Sequence, residues 1–298
     1  MTIAALNQQF GIEEQIFFSE GNGGLPFITI NNHFAKAIIS LYGAHVLSYQ
    51  PIGEEEVLWM SDQSAFEAGK PIRGGVPVCF PWFGPHADDN QKPQHGFARL
   101  SFWSIKWINV LADGATEIGL ILSSNEETKK MWPHDFVATI TVTVGEKLTI
   151  SLSVKNTGTD TFTYTDALHT YFNVSDLSNI TIAGLQNTGY YEAGSNELKT
   201  QEEALLLIAK EENRRYVNHT NDCIIEDRRL ARTIAVGKTG SKITVVWNPG
   251  EATTKNIGDI ADDGYKTFIC VEAVNALDDI ITVAPGNEFS TGTSFGLI

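Results

Sequence analysis

Residues 138–144 alternate apolar and hydroxyl-bearing side chains with period two, and residues 148–154 do so again. Such alternation suits an extended chain with one face against a core, and it does not suit a helix. Gly145-Glu146 between the two runs supplies turn chemistry, so the pair reads as an antiparallel hairpin. Asn156-Thr157-Gly158-Thr159 is a second turn, and residues 162–172 read as one further strand. Residues 27–30, 35–40, 45–50, 102–110, 117–122, 243–247, 267–273 and 280–283 add strand-like runs. Helix signals are few. Ser124-Asn125-Glu126-Glu127 has capping-box spacing ahead of Pro133, residues 201–210 suit a helix or a buried strand equally, and residues 253–265 suit a short helix or ordered loop. Many short strands without alternating long helices predict one all-β sandwich domain over residues 1–298.

The 298 residues are 42% hydrophobic, enough for a sizeable core. A net charge of −15 argues against nucleic acid or an anionic membrane as partner. It leaves an anionic small ligand open, because distant charges are screened and a few arginines dominate a pocket. Three cysteines without CxxC spacing point to reduced thiols. Residues 1–18 lack the basic and apolar regions of a signal peptide, and no apolar run has the length of a membrane span, so a cytoplasmic protein is expected. Nothing demands an oligomer, and a monomer is expected.

Residues 69–93 form the longest irregular stretch, dense in glycine and proline; such a loop in a compact domain is usually functional or mobile. Arg73 precedes Gly74-Gly75, and Arg99 follows His95-Gly96-Phe97. Glycine lets backbone approach a ligand, and guanidinium groups bind phosphate or carboxylate oxygens in pairs. The bland alternative is a pair of loop arginines in surface ion pairs. Glu272 lies in an apolar strand-like run, where it either points outward from a half-buried strand or is a carboxylate held at a cavity with raised proton affinity. His169, in an aromatic run, is either a hydrogen-bonded structural residue or a proton carrier near neutral pH. Trp82 and Phe83 could stack on a sugar face or simply pack. Asp222 sits in a polar run where a turn role is the default. No histidine or cysteine pair has metal-ligand spacing, and no nucleotide fingerprint occurs, so no metal and no cofactor are expected.

The order IRGGVPVCFPWFG (72–84), QHGFAR (94–99), LHTYFNV (168–174) and VEAVNA (271–276) resembles the aldose 1-epimerase superfamily, most closely its hexose-6-phosphate mutarotase branch. The likeness runs from about Phe27 to the C-terminus. It implies a large antiparallel galactose mutarotase-like β-supersandwich with a sugar site on a concave sheet face. By likeness, His169 is the general acid, Glu272 the general base, and Arg73, Gln94, Arg99 and an aspartate bind substrate, with His95 lining the pocket. That aspartate is commonly followed by arginine and then by apolar or aromatic residues. Asp222 is the preferred match although Cys223-Ile224-Ile225 follow it, and Asp227, before Arg228, is the alternative.

The implied chemistry is mutarotation, an isomerase reaction. The ring opens at C1–O5 as a proton leaves the C1 hydroxyl and another reaches O5, the aldehyde rotates, and the ring recloses. An ionised Glu272 and a protonated His169 would serve both transfers, each worth roughly 10²–10⁴-fold. The arginine pair favours a hexose 6-phosphate. Alternatives are an epimerase for unphosphorylated sugars and a non-catalytic sugar-binding protein of the same fold. A glycoside hydrolase would need a second carboxylate beside Glu272, and nothing supports that pairing.

Overall fold

A computed structural model describes residues 1–298. The hairpin forms as its alternation requires. Strands Phe136–Val144 and Leu148–Asn156 pair antiparallel from Val144↔Leu148 outward, with Phe136, Ala138, Ile140, Val142 and Val144 all buried. They lie in an antiparallel sheet of eight strands whose order runs from Ile180–Ala183 through Cys223–Asp227, Arg232–Thr239 and Glu288–Leu297 to the hairpin, then Thr116–Ser123 and Ser104–Val110. A second eight-stranded sheet contains Gly189–Glu192, Glu212–Tyr216, Ile243–Asn248, Phe268–Asn275, Asp166–Leu168 and Val78–Cys79 in that spatial order, with Tyr171–Asn173 also on Phe268–Asn275. A four-stranded antiparallel sheet, Ile16–Glu20 to His45–Pro51, and a two-stranded pair, Phe162–Tyr164 with Ile281–Val283, complete the architecture.

One core joins the three sheets. It includes Ile28 and Ile39 from the four-stranded sheet, Ile140 and Leu152 from the first eight-stranded sheet, and Ile269 and Val271 from the second. Each such side chain contributes about 1.5–3 kcal/mol through burial. Strand Phe268–Asn275 is buried along its whole length. Ile269 and Val271 face the common core, whereas Phe268, Cys270 and Val274 belong to smaller clusters on the opposite face. Glu272 shares that opposite face by alternation.

Residues 162–172 do not form one strand. They divide into Phe162–Tyr164, Asp166–Leu168 and Tyr171–Asn173, and the first of these pairs outside the large sheets. The break leaves His169 and Thr170 outside the ladder. Residues 201–210 are mainly irregular, with Leu206 bridged to Ile182. The helix Glu126–Met131 is capped one residue later than Ser124 suggests: the Asn125 side chain accepts from the backbone of Glu127 and Thr128. A short N-terminal helix, Ile3–Phe10, has no counterpart in the sequence reading, and residues 253–265 are mostly turns between helix Gly250–Thr254 and a 3₁₀ turn. No helix is long and apolar enough to cross a membrane.

Candidate active site

The second eight-stranded sheet forms the floor of a cavity of about 440 Å³. Pairing registers put Arg215, Val245 and Glu272 in one transverse row over three adjacent strands, and Asn213, Trp247 and Cys270 in the next. Adjacent strands are about 4.8 Å apart, so the row spans roughly 10 Å. His169 enters from the break beyond Leu168, on the other side of Glu272 from Arg215. Its Nε2 lies 3.4 Å from Glu272 Oε1, and its ring stacks on Tyr171 with centroids 4.9 Å apart.

The long loop supplies the wall beyond His169. It is anchored rather than free, because Phe80 is buried among Phe97, Trp132, Phe136 and Tyr164. The Phe80 carbonyl accepts hydrogen bonds from the backbone of Phe97 and Ala98, 3.0 and 3.1 Å away, which folds the 94–99 segment back on it. A Cβ at Gly96, where φ is +73°, would lie 2.0 Å from that carbonyl oxygen. His95 has a φ of 65°, and its Nδ1 accepts from the backbone N–H of Gly84 at 3.1 Å. That bond fixes a neutral tautomer with the proton on Nε2. Burial, followed by the charges of Arg99 and Arg73, pushes His95 down to about 3.

Gly74 and Gly75 let the Arg73 turn pass against the neighbouring strand. A Cβ at Gly75, at φ +59°, would lie 2.2 Å from the Val46 carbonyl oxygen. Arg73 donates through Nε to Asp259 Oδ1 at 3.0 Å and through a terminal nitrogen to the Tyr171 hydroxyl at 3.1 Å. Burial opposes its charge, but Tyr171 and Asp259 outweigh that and hold it positive. Arg99 donates to the Gln94 carbonyl at 2.8 Å, has no acidic partner, and keeps a buried Nε without a hydrogen bond. Burial lowers its pKa, yet guanidinium remains charged throughout the working pH range.

Arg73, Gln94, His95, Arg99, His169 and Glu272 therefore line one cavity. Glu272 does not point outward to solvent; only 2% of it is exposed, and its Oε2 has no partner. Burial raises Glu272 well above the ordinary carboxylate range. Burial, with the charges of His95, Arg73 and Arg99, drives His169 well below the ordinary histidine range. Without substrate, burial acts against charge on both groups, and the arginines act further against charge on His169.

Asp222 lies elsewhere. It is exposed and precedes Cys223–Asp227, a strand of the other eight-stranded sheet. Asp227 is structural, its carboxylate accepting from Ser175, Arg229 and Leu230. Strand Glu212–Tyr216 instead brings Asn213 and Arg215 to the cavity, both missed from sequence. Asn213 is followed by arginine, the order that the resemblance attached to the substrate-binding aspartate, but it carries an amide rather than a carboxylate. Arg215 donates to the backbone carbonyl of Glu192 at 2.9 Å and so holds the Ala193-Gly194 rim.

Comparison with known proteins agrees with this geometry. The aldose 1-epimerase family model matches residues 26–296. A protein of Escherichia coli K12, provisionally named glucose-6-phosphate 1-epimerase, is 41% identical over 252 residues, covering 85% of this chain and 84% of its own. The crystal structure of YeaD from Salmonella typhimurium, provisionally described as a mutarotase, superposes with a TM-score of 0.89 at 34% identity, covering 97% of this chain and 95% of that one. A galactose mutarotase related enzyme from Lactobacillus acidophilus shares the fold, with a TM-score of 0.71 at 18% identity over 91% of this chain and 96% of that one. The β-supersandwich, the matched family model and the similar chains together place this protein in the aldose 1-epimerase family.

Proposed function

We propose that the protein interconverts the α and β anomers of a hexose 6-phosphate, with His169 and Glu272 exchanging protons with the ring. The observation that carries the phosphate is the Arg73–Arg99 pair, two guanidinium groups close enough to feel each other's charge and lining one cavity in a protein with net charge −15. Charge-assisted bonds from two such forks suit a phosphate dianion. The name of the Escherichia coli protein favours the same reading.

The order of groups across the cavity orients the sugar. Arg73 and Arg99 lie on the His169 side and Arg215 on the far side. A phosphate on C6 at the arginine pair places O5 toward His169 and C1 toward Glu272, with the C2 and C3 hydroxyls reaching Arg215 and Asn213. Glu272 removes the C1 hydroxyl proton while His169 delivers one to O5, and the roles reverse on closure. The neutral pair and the carboxylate–imidazolium pair hold the same number of protons. A phosphate that offsets the charges of Arg73 and Arg99 removes two of the influences depressing His169, and so favours the reactive, charged arrangement.

A second reading, an epimerase for unphosphorylated aldoses, rests on Asp259, which already engages Arg73. The test is the rate of anomer exchange, by saturation-transfer NMR, for α-glucose 6-phosphate, α-glucose and α-galactose, with Glu272→Gln as control. Acceleration of the phosphate alone, lost in the control, supports the proposal. Acceleration of the free sugars instead supports the second reading. Saturable binding without turnover indicates a sugar-binding protein. The three free, buried cysteines agree with action in a reducing compartment such as the cytoplasm, and the cavity is built by a single chain.

A further inference from the structure

Cys270 stands two residues from Glu272 on the same face of one strand, and proton exchange with the sugar makes no use of it. One ligating atom from each of His169, Cys270 and Glu272 lies within 4.8 Å of the other two. His169 Nε2 and Glu272 Oε1 are 3.4 Å apart. Zinc bonds of about 2.0–2.3 Å in a tetrahedral site separate ligand atoms by roughly 3.3–3.8 Å. Imidazole and carboxylate thus already stand at ligand spacing, and the thiol has about 1 Å to close. Glu272 Oε2 is also buried without a hydrogen-bond partner.

We propose that His169, Cys270 and Glu272 form an inhibitory site for a zinc-class divalent ion, which occupies the place of the sugar's C1–O5 unit. Imidazole and thiolate select such an ion over magnesium or calcium, which favour all-oxygen ligands. Charge balances. The thiol and carboxyl protons leave to solvent, the neutral imidazole binds through a lone pair, and two negative ligands offset the doubly positive ion. Arg73 and Arg99 then face no added charge. The fourth zinc position opens to the cavity, where water completes the tetrahedron and sugar cannot enter. The sequence conceals the site because His169 comes from a different segment than the Cys270–Glu272 pair, so no ligand-spacing motif exists.

The inhibition rests on the proton-exchange roles proposed for His169 and Glu272, whereas the metal site does not. Cobalt(II) serves as the spectroscopic probe. Adding one equivalent to the full-length protein gives a thiolate-to-cobalt charge-transfer band, which Zn²⁺ abolishes. Cys270→Ala and Cys270→Ser lose that band. In parallel, Zn²⁺ suppresses mutarotation at least tenfold and EDTA restores it. Either variant requires more than the roughly 10–100-fold higher Zn²⁺ that even outer-shell changes around a metal demand. No band in the wild-type protein overturns the site, whether or not the sugar is turned over. A band that persists in a folded Cys270 variant assigns the metal to another thiol and overturns it too. A Cys270-dependent band with undiminished mutarotation overturns the inhibitory role alone. If neither variant folds, loss of the wild-type band on adding a saturating sugar substrate supports overlap, and an unchanged band overturns it.

Discussion

His45 Nε2 lies 2.7 Å from the carbonyl oxygen of Gly74, within the turn that carries Arg73. His45 is fully buried, and burial lowers its pKa to about 4, so the ring stays neutral and supports the turn without competing for an anion. Gly75→Ala would drive a methyl group toward the Val46 carbonyl at a φ of +59°. We expect a loss of roughly 1–3 kcal/mol in stability and a raised KM for the sugar phosphate as Arg73 shifts. Urea denaturation and initial-rate kinetics on the same preparation check both.

Arg99→Ala removes one of the two cavity guanidinium groups that have no acidic partner, the other being Arg215. A charge-assisted hydrogen bond is worth about 1.5–3 kcal/mol, so KM for glucose 6-phosphate should rise roughly 10–150-fold. KM for free glucose should change far less. Equal changes on both substrates would exclude phosphate binding by Arg99.

Arg215→Ala should behave differently. Arg215 lies across the sheet from the arginine pair, so its loss should reduce kcat/KM for phosphorylated and free hexose by the same factor, roughly tenfold, the cost of one hydrogen bond to a charged group. A selective effect on the phosphate ester would reverse the proposed orientation of the sugar.

Glu272→Gln should lower kcat by roughly 10²–10⁴-fold and raise thermal stability at neutral pH. The sign follows from the raised folded-state pKa of Glu272. Below the ordinary carboxylate pKa, both folded and unfolded chains hold the proton, and the residue adds no pH-linked cost. As pH rises past that value, the unfolded chain releases the proton more readily, and the folded state loses stability relative to it. The variant's gain in Tm should therefore be present at pH 7 and vanish toward pH 4. A lower Tm for Glu272→Gln at pH 7 would show that the carboxyl group is stabilised in place instead.

The sheets were legible where the alternation was regular, as in the 138–154 hairpin. They were hidden where the ladder is interrupted. Residues 162–172 carry continuous strand character, yet the chain leaves the ladder at His169 and Thr170, and that departure gives the histidine access to the cavity. Arg73, Gln94, His95, Arg99, His169 and Glu272, singled out through the motif order that carries the resemblance, all line the one cavity. Asn213 and Arg215 were missed because a polar pair in a short strand has no local mark; only its register opposite Trp247 and Val245 places it on the cavity floor. Asp222 misled because a strand-like run follows it, and neither composition nor spacing says which sheet that strand joins.

The Arg73–Asp259 ion pair joins residues 186 apart in sequence, at the edge of the cavity. Contacts between residues so distant in sequence favour slow, late assembly. No local segment holds His169 and Glu272 together with the arginines, so a partly folded chain has no fragment that carries the whole cavity. Recovery of mutarotation during refolding would thus time the closing of these long loops, and the enzyme's own substrate would serve as the clock.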